Sequence, residues 1–179
     1  IGVMARSVDD LAMIAGPLMV FDDRDPAMSP RSPPALVNTA AAEPPVEPRI
    51  AFVKSPVWNQ ADDDYRQGLA EITDLLGTSC DEVNLTEPFD QAIDLHRIIM
   101  RADLAKSFAR LYETGKDQLS DTLVDMIEEG QKVLAVDYNR AVDWIDILYA
   151  ELGKIFDKYD AIISPAVTGE APLGLETTG

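Results

Sequence analysis

Any Ser-His-Asp or Cys-His device in this chain must use His96 or Cys80, because each is the only residue of its type. His96 falls mid-helix on an apolar face, with Ile93 and Met100 one turn away on either side, and reads as a packed core histidine. Cys80 precedes Asp81 and Glu82, whose charge raises a thiol pKa and opposes thiolate formation. Lys54-Ser55 and Lys106-Ser107 set a base type beside a nucleophile type. Adjacent residues on a strand or helix point to different sides, so neither pair is a nucleophile–base couple. One histidine and one cysteine do not supply metal ligands at a recognisable spacing. Asp62-Asp63-Asp64 lacks the pattern of a calcium loop; it suits the first turn of a helix, where negative charge opposes the dipole. No glycine-rich phosphate loop and no G-x-S-x-G elbow occurs. The chain is therefore expected to hold no cofactor, no metal and no complete catalytic device of its own.

The elements that would position these residues alternate along the chain. Ser7, followed three residues later by Asp10, is a variant capping box. It opens a helix with Val8, Leu11, Ala12, Ile14, Ala15, Leu18 and Met19 at helical spacing, which Gly16-Pro17 should bend or break. Residues 22–48 hold seven prolines and read as an extended, ordered surface connection. Arg49–Lys54 is an apolar run bounded by prolines, a buried strand. Asp62–Leu76 reads as a helix with Tyr65, Leu69, Ile72, Leu75 and Leu76 inward, stopped by Gly77. Cys80–Leu85 is a second strand. A helix from Phe89 to Tyr112 follows, with Ile93, His96, Met100, Leu104, Phe108 and Leu111 on one face. Ser120 caps a long helical stretch to about Tyr159, in which Tyr138, Ala141, Ile145, Leu148, Leu152, Ile155 and Tyr159 keep a 3–4 spacing. Ala161–Ser164 is a third strand ending at Pro165. Alternating strands and helices imply an α/β fold, a parallel or mixed sheet flanked by long helices. Three strands are few for the apolar face of residues 138–159.

The chain has 179 residues, 46% of them hydrophobic and 26% charged, as expected of a globular domain. Its formal net charge of −17 disfavours nucleic acid and anionic membranes as partners, since these demand a basic face. No apolar run approaches the roughly 20 residues that span a membrane. A single cysteine allows no intrachain disulfide and fits a reducing cytoplasm.

Five stretches, in order, resemble the amidase-signature family. Ile1-Gly-Val-Met-Ala-Arg-Ser7, leading through a helix to Asp22-Asp-Arg-Asp-Pro26, is similar to the run that follows the family's catalytic serine. Arg49-Ile-Ala-Phe-Val53 resembles the strand after its proline-rich connection. Cys80-Asp-Glu-Val-Asn-Leu-Thr-Glu-Pro-Phe89 is similar to its V-x-x-V-x-L-P-x-P-F segment, with Thr86-Glu87 replacing the first proline. Glu129-Gly130, Ala135-Val-Asp-Tyr138 and Ala141 resemble its E-x-G…A-x-D-Y-x-x-A helix. Phe156-Asp-Lys-Tyr-Asp-Ala-Ile-Ile-Ser-Pro-Ala166, with Ala171-Pro172, resembles its F-x-x-Y-D-A-L-L-x-P strand.

The resemblance implies an amidase that hydrolyses carboxylic amide C–N bonds without cofactor, through a serine acyl-enzyme. In the family a second serine and a lysine base activate the nucleophile, and backbone N–H groups hold the oxyanion. None of these residues maps onto residues 1–179, so no catalytic residue is carried over. The chain is expected to be a single partial domain, 1–179, with residues 22–48 as a connection within it, inactive alone. The alternative is a non-catalytic α/β scaffold or interaction module. Ala166, Val167 and Thr168 either line the substrate cavity or simply leave the sheet as a turn. Met126 and Tyr138 are candidate substrate-selecting residues or core packing. Asp125-Met126 stands where the transamidating relatives carry a basic pair, which argues against a glutamine-specific site. The expected partners are a small amide substrate and, at uncovered apolar surface, a second copy or the remainder of a parent chain.

Overall fold

The structure, a computed structural model, describes residues 2–25 and 28–174. Ile1 and Pro26, the two ends of the opening motif, lie outside the described residues. The chain divides into two compact units, Ile1–Glu47 and Pro48–Gly179.

The first unit pairs two helices, α1 (Val8–Leu18) and α2 (Leu36–Ala41). Ser7 caps α1 as its spacing requires: its hydroxyl accepts from the Asp10 N–H at 3.1 Å. Gly16-Pro17 does not break the helix, contrary to expectation. Pro17 falls in the last turn, and the Met19 N–H closes the end on the Ala15 and Gly16 carbonyls. Residues 22–48 are not extended throughout, since α2 forms within them, with the Thr39 hydroxyl donating to the Ala35 carbonyl.

The second unit is built on a three-stranded parallel sheet in the order β2–β1–β3, where β1 is Ile50–Val53, β2 is Cys80–Val83 and β3 is Ala161–Ile163. The middle strand is apolar at every position, as a parallel strand covered on both faces requires. Ala51, Phe52 and Val53 are all buried. Ala51 and Val53 pack with Ile155 and, around them, Val83, Leu152 and Ile162. Phe52 points the other way, edge-on to Trp58 with ring centroids 5.8 Å apart. β3 is pinned at its start by a reciprocal pair: the Asp160 N–H donates to the Arg49 carbonyl at 2.8 Å, and the Arg49 N–H to the Asp160 carboxylate at 2.9 Å.

α3 (Asp63–Leu76) joins β1 to β2, with Asp62 at its N-cap and Gly77, at φ 54°, ending it as expected. Ile72 and Leu75 are exposed, not inward; Leu69 alone is buried on this helix. α4 (Ala92–Gly115) follows a 3₁₀ turn at Glu87–Gln91. Its inward side takes in Leu95, Ile98, Ile99, Ala102, Ala105, Ala109 and Tyr112; of the expected face Leu104 and Phe108 are half-buried, while Ile93, Met100 and Leu111 are exposed. His96 is exposed and is therefore no core histidine.

The expected single helix from residue 120 to 159 is two helices. Ser120 caps α5 (Asp121–Gly130) by accepting from the Leu123 N–H, and α6 (Ala135–Phe156) restarts after an extended Leu134. α4 packs against both. Ile127 is fully buried at that junction, which stabilises it by roughly 1.5–3 kcal/mol. Gly130 lies directly on the Arg101 carbonyl, where a Cβ would collide with backbone. Among the described residues no helix is long and apolar enough to cross a membrane.

Gly130→Ala should therefore destabilise the second unit by about 1–3 kcal/mol in denaturant unfolding, although glycine-to-alanine in a free helix stabilises by roughly 1 kcal/mol. Unchanged or raised stability would refute the close approach as the reason for the glycine.

Candidate functional site

In open parallel sheets ligands collect beyond the carboxyl ends of the strands. β3 ends there in Ser164-Pro165 and continues into Ala166, Val167 and Thr168. The first turn of α3 holds this segment in place. The Ala166 N–H donates to the Tyr65 hydroxyl at 3.3 Å, and the Thr168 carbonyl accepts from the Asp62 N–H at 2.7 Å. The Asp62 carboxylate fills the space a Cβ at residue 169 would need, so Gly169 is the residue type that fits. Val167 stands out at 57% exposure. Beside the segment an open recess of about 550 Å³ is lined by Asp62–Tyr65, Gly169 and Glu170.

Tyr138 stands elsewhere. It borders a shallow recess of about 490 Å³ between α4, α5 and α6. Ala102, Ala105 and Ala109 on α4, with Gly130 at the end of α5, leave the space because their side chains are short. The Tyr138 hydroxyl donates to the Asp103 carboxylate at 3.0 Å. That acceptor, then burial, then the carboxylate's charge, push the phenol above its ordinary value near 10. Met126 is half-buried on α5, one turn before Gly130. The five candidate residues thus sit in two places. Tyr138 and Met126 belong to the helical layer, and Ala166, Val167 and Thr168 to the sheet edge docked on α3.

A third polar group closes the α4–α5 hairpin. Lys116 Nζ donates to Glu128 at 2.6 Å and to the Tyr112 hydroxyl at 3.0 Å, and that hydroxyl donates to the same carboxylate at 2.8 Å. Lys116, then Tyr112, hold the Glu128 carboxyl below its ordinary range. Arg101 on α4 pairs with Glu129 at 2.5 Å beside it.

The lysine of the first Lys-Ser pair is engaged elsewhere. Lys54 pairs with Glu82 at 2.6 Å and lies 5.7 Å over the Trp58 ring. Cys80 is half-buried, and its thiol is pushed up by burial first and by Asp81 second, against a weaker lowering by the Phe52 backbone. The charge argument from sequence had the direction right and the leading cause wrong.

Asp103, Tyr65 and Asp62 complete these places; the sequence marks Asp62 only as a helix-start carboxylate and Tyr65 only as an inward helix residue, and Asp103 not at all. Their contacts span 35 to 106 positions, and Asp103 gives no local signal beyond a polar residue in a helix.

A three-stranded parallel sheet flanked by helices defines an α/β class. The family model described as Amidase matches residues 1–177, and the chain belongs to that family. A search among curated proteins finds no match. Three solved structures share the fold. An inhibitor-bound vestigial protein complex, bearing on the origins of an s-triazine catabolic enzyme, superposes with TM-score 0.82 at 19% identity over 96% of this chain. A 6-aminohexanoate cyclic dimer hydrolase with substrate gives 0.70 at 19% identity over 94%, and a crystal structure of an amidase 0.68 at 17% over 96%. The chain spans 36–37% of the length of these structures.

The Tyr138 phenol should titrate above 10 in ¹³C-tyrosine NMR, and Asp103→Asn should bring it down. A raised folded pKa implies stability that is present below about pH 10 and lost as pH rises through the folded value. An unmoved Tyr138 signal in the Asn variant would remove Asp103 as the cause.

Proposed function

We propose that this chain is the frame and pocket wall of an amidase that hydrolyses the C–N bond of linear carboxylic amides. The attacking serine, its partner serine and the lysine base are supplied by sequence other than residues 1–179. An amide is a poor electrophile, so serine attack to an acyl-enzyme, followed by water, divides one difficult step into two. The observation that carries the reading is the family match over residues 1–177 beside a coverage of only 36–37% of the solved relatives. The chain's own residues support it. No two of its serines are adjacent, and Lys54 is engaged by Glu82 and Trp58.

In this reading Ala166, Val167 and Thr168 form one wall of the amide pocket, held at fixed depth by Tyr65 and Asp62. Met126 and Tyr138 form the selecting wall on the helical layer. Large apolar side chains that stay exposed, among them Leu75, Leu134, Val136, Tyr149 and Phe156, support coverage by the remainder of a parent chain or by a second copy. The single cysteine supports a cytoplasmic setting.

Residues 1–179 alone should neither hydrolyse simple aryl or alkyl amides nor be labelled by a serine-directed fluorophosphonate. Turnover abolished by that reagent would overturn the proposal, because it would place the nucleophile within these residues.

A further inference from the structure

A helix lying on a sheet ordinarily turns its large apolar residues toward it. α3 does so with Leu69, at 8% exposure, but Leu75, about a third of a turn round the helix, is 87% exposed. Toward β2 it presents Ala70, Thr73 and Asp74. The short side chains leave an open recess of about 430 Å³ between α3 and the sheet, with Phe52 and Trp58 as its aromatic surface. That volume falls within the roughly 300–1,000 Å³ of small-molecule sites. Phe52 is buried and Trp58 meets it at 77°, so the aromatic surface is held by packing.

The charges around it are unequal in their engagement. Lys54 is paired with Glu82, and Arg66 with Asp63. Among the described residues no donor or cation engages the Asp74 carboxylate. We propose that this recess binds an organic monocation with a ring-bearing apolar body, its ammonium on Asp74 and its ring against Phe52 and Trp58. The net charge of −17 concentrates cations at the surface and repels anions. The site is independent of the amide-hydrolysing reading, since it lies on the α3 face of the sheet and uses none of the five pocket-wall candidates.

Cys80 borders the recess and is the chain's only thiol, so its alkylation reports occupancy. Phenethylammonium is the probe, and 3-phenylpropionate is the anionic control of similar size. With the 179-residue chain, phenethylammonium should slow Cys80 alkylation by iodoacetamide saturably and shift the Trp58 indole N–H resonance. The anion should do neither. Asp74→Asn should weaken binding about tenfold, the scale of a lost charge-assisted hydrogen bond, while Asp125→Asn on α5 should not. Ala70→Leu, which fills the recess without touching the charge, should also abolish protection, and it decides the matter if the Asp74 variant does not fold. Unsaturable protection, an equal response to the anion, or full-strength binding in folded Asp74→Asn or Ala70→Leu would overturn the site.

Discussion

The second unit depends on one strand of four residues. Ile50–Val53 is the middle of the sheet, hydrogen-bonded to a neighbour on each side and covered on each face. Its alternation sends Ala51 and Val53 to α6 and Phe52 to Trp58 and the α3 side. Small Ala51 lets Ile155 and Leu152 approach that face, whereas Phe52 needs an aromatic neighbour to fill its larger space. β2 and β3 carry fewer buried residues and are held chiefly through β1 and through polar ties at its start. Arg49 bonds Asp160 through its backbone, and its side chain pairs with Asp81 at 2.8 Å and lies 5.0 Å over the Tyr159 ring.

The helical layer is attached to this sheet through α6, and its own internal order rests on close backbone approach. Gly130 on the Arg101 carbonyl lets α5 seat against α4, and Ile127 fills the junction. Exposed polar ties such as Lys116–Glu128 add direction more than energy, since exposed ion pairs are worth little. The same seat sets the position of Met126 one turn earlier and ends the helix, so that α6 begins afresh and brings Tyr138 to Asp103.

Much of this was legible in the sequence because the deciding forces were local. The Ser7 and Ser120 caps, the glycine stop at residue 77 and the apolar runs at 50–53 and 161–163 each carry their signal within a few residues. The failures share a cause in tertiary contact. The helix from residue 120 was read as continuous because helical spacing persists on both sides of Gly130, while the reason for the break lies on α4. The α4 face was only partly right, with Leu104 and Phe108 half-buried but Ile93, Met100 and Leu111 exposed, because 24 residues with apolar side chains around most of the circumference support two arcs, and only the packing with α5 and α6 chooses. His96, Ile72 and Leu75 followed from that kind of error. Of the candidate site, the residues after Pro165 were placed correctly at the end of β3, but their support by Tyr65 and Asp62 lies a hundred positions away.

An amidase-family frame is thus held by a short strand, and the two proposed pocket walls reach it by different routes, through β3 and through α6. Native-state hydrogen exchange tests that dependence most directly. The amides of Ala51, Phe52 and Val53 should exchange slowest in residues 48–174, only through global unfolding of that unit. Exchange of these amides through local opening, while α4 and α5 stay protected, would contradict the central role of the strand.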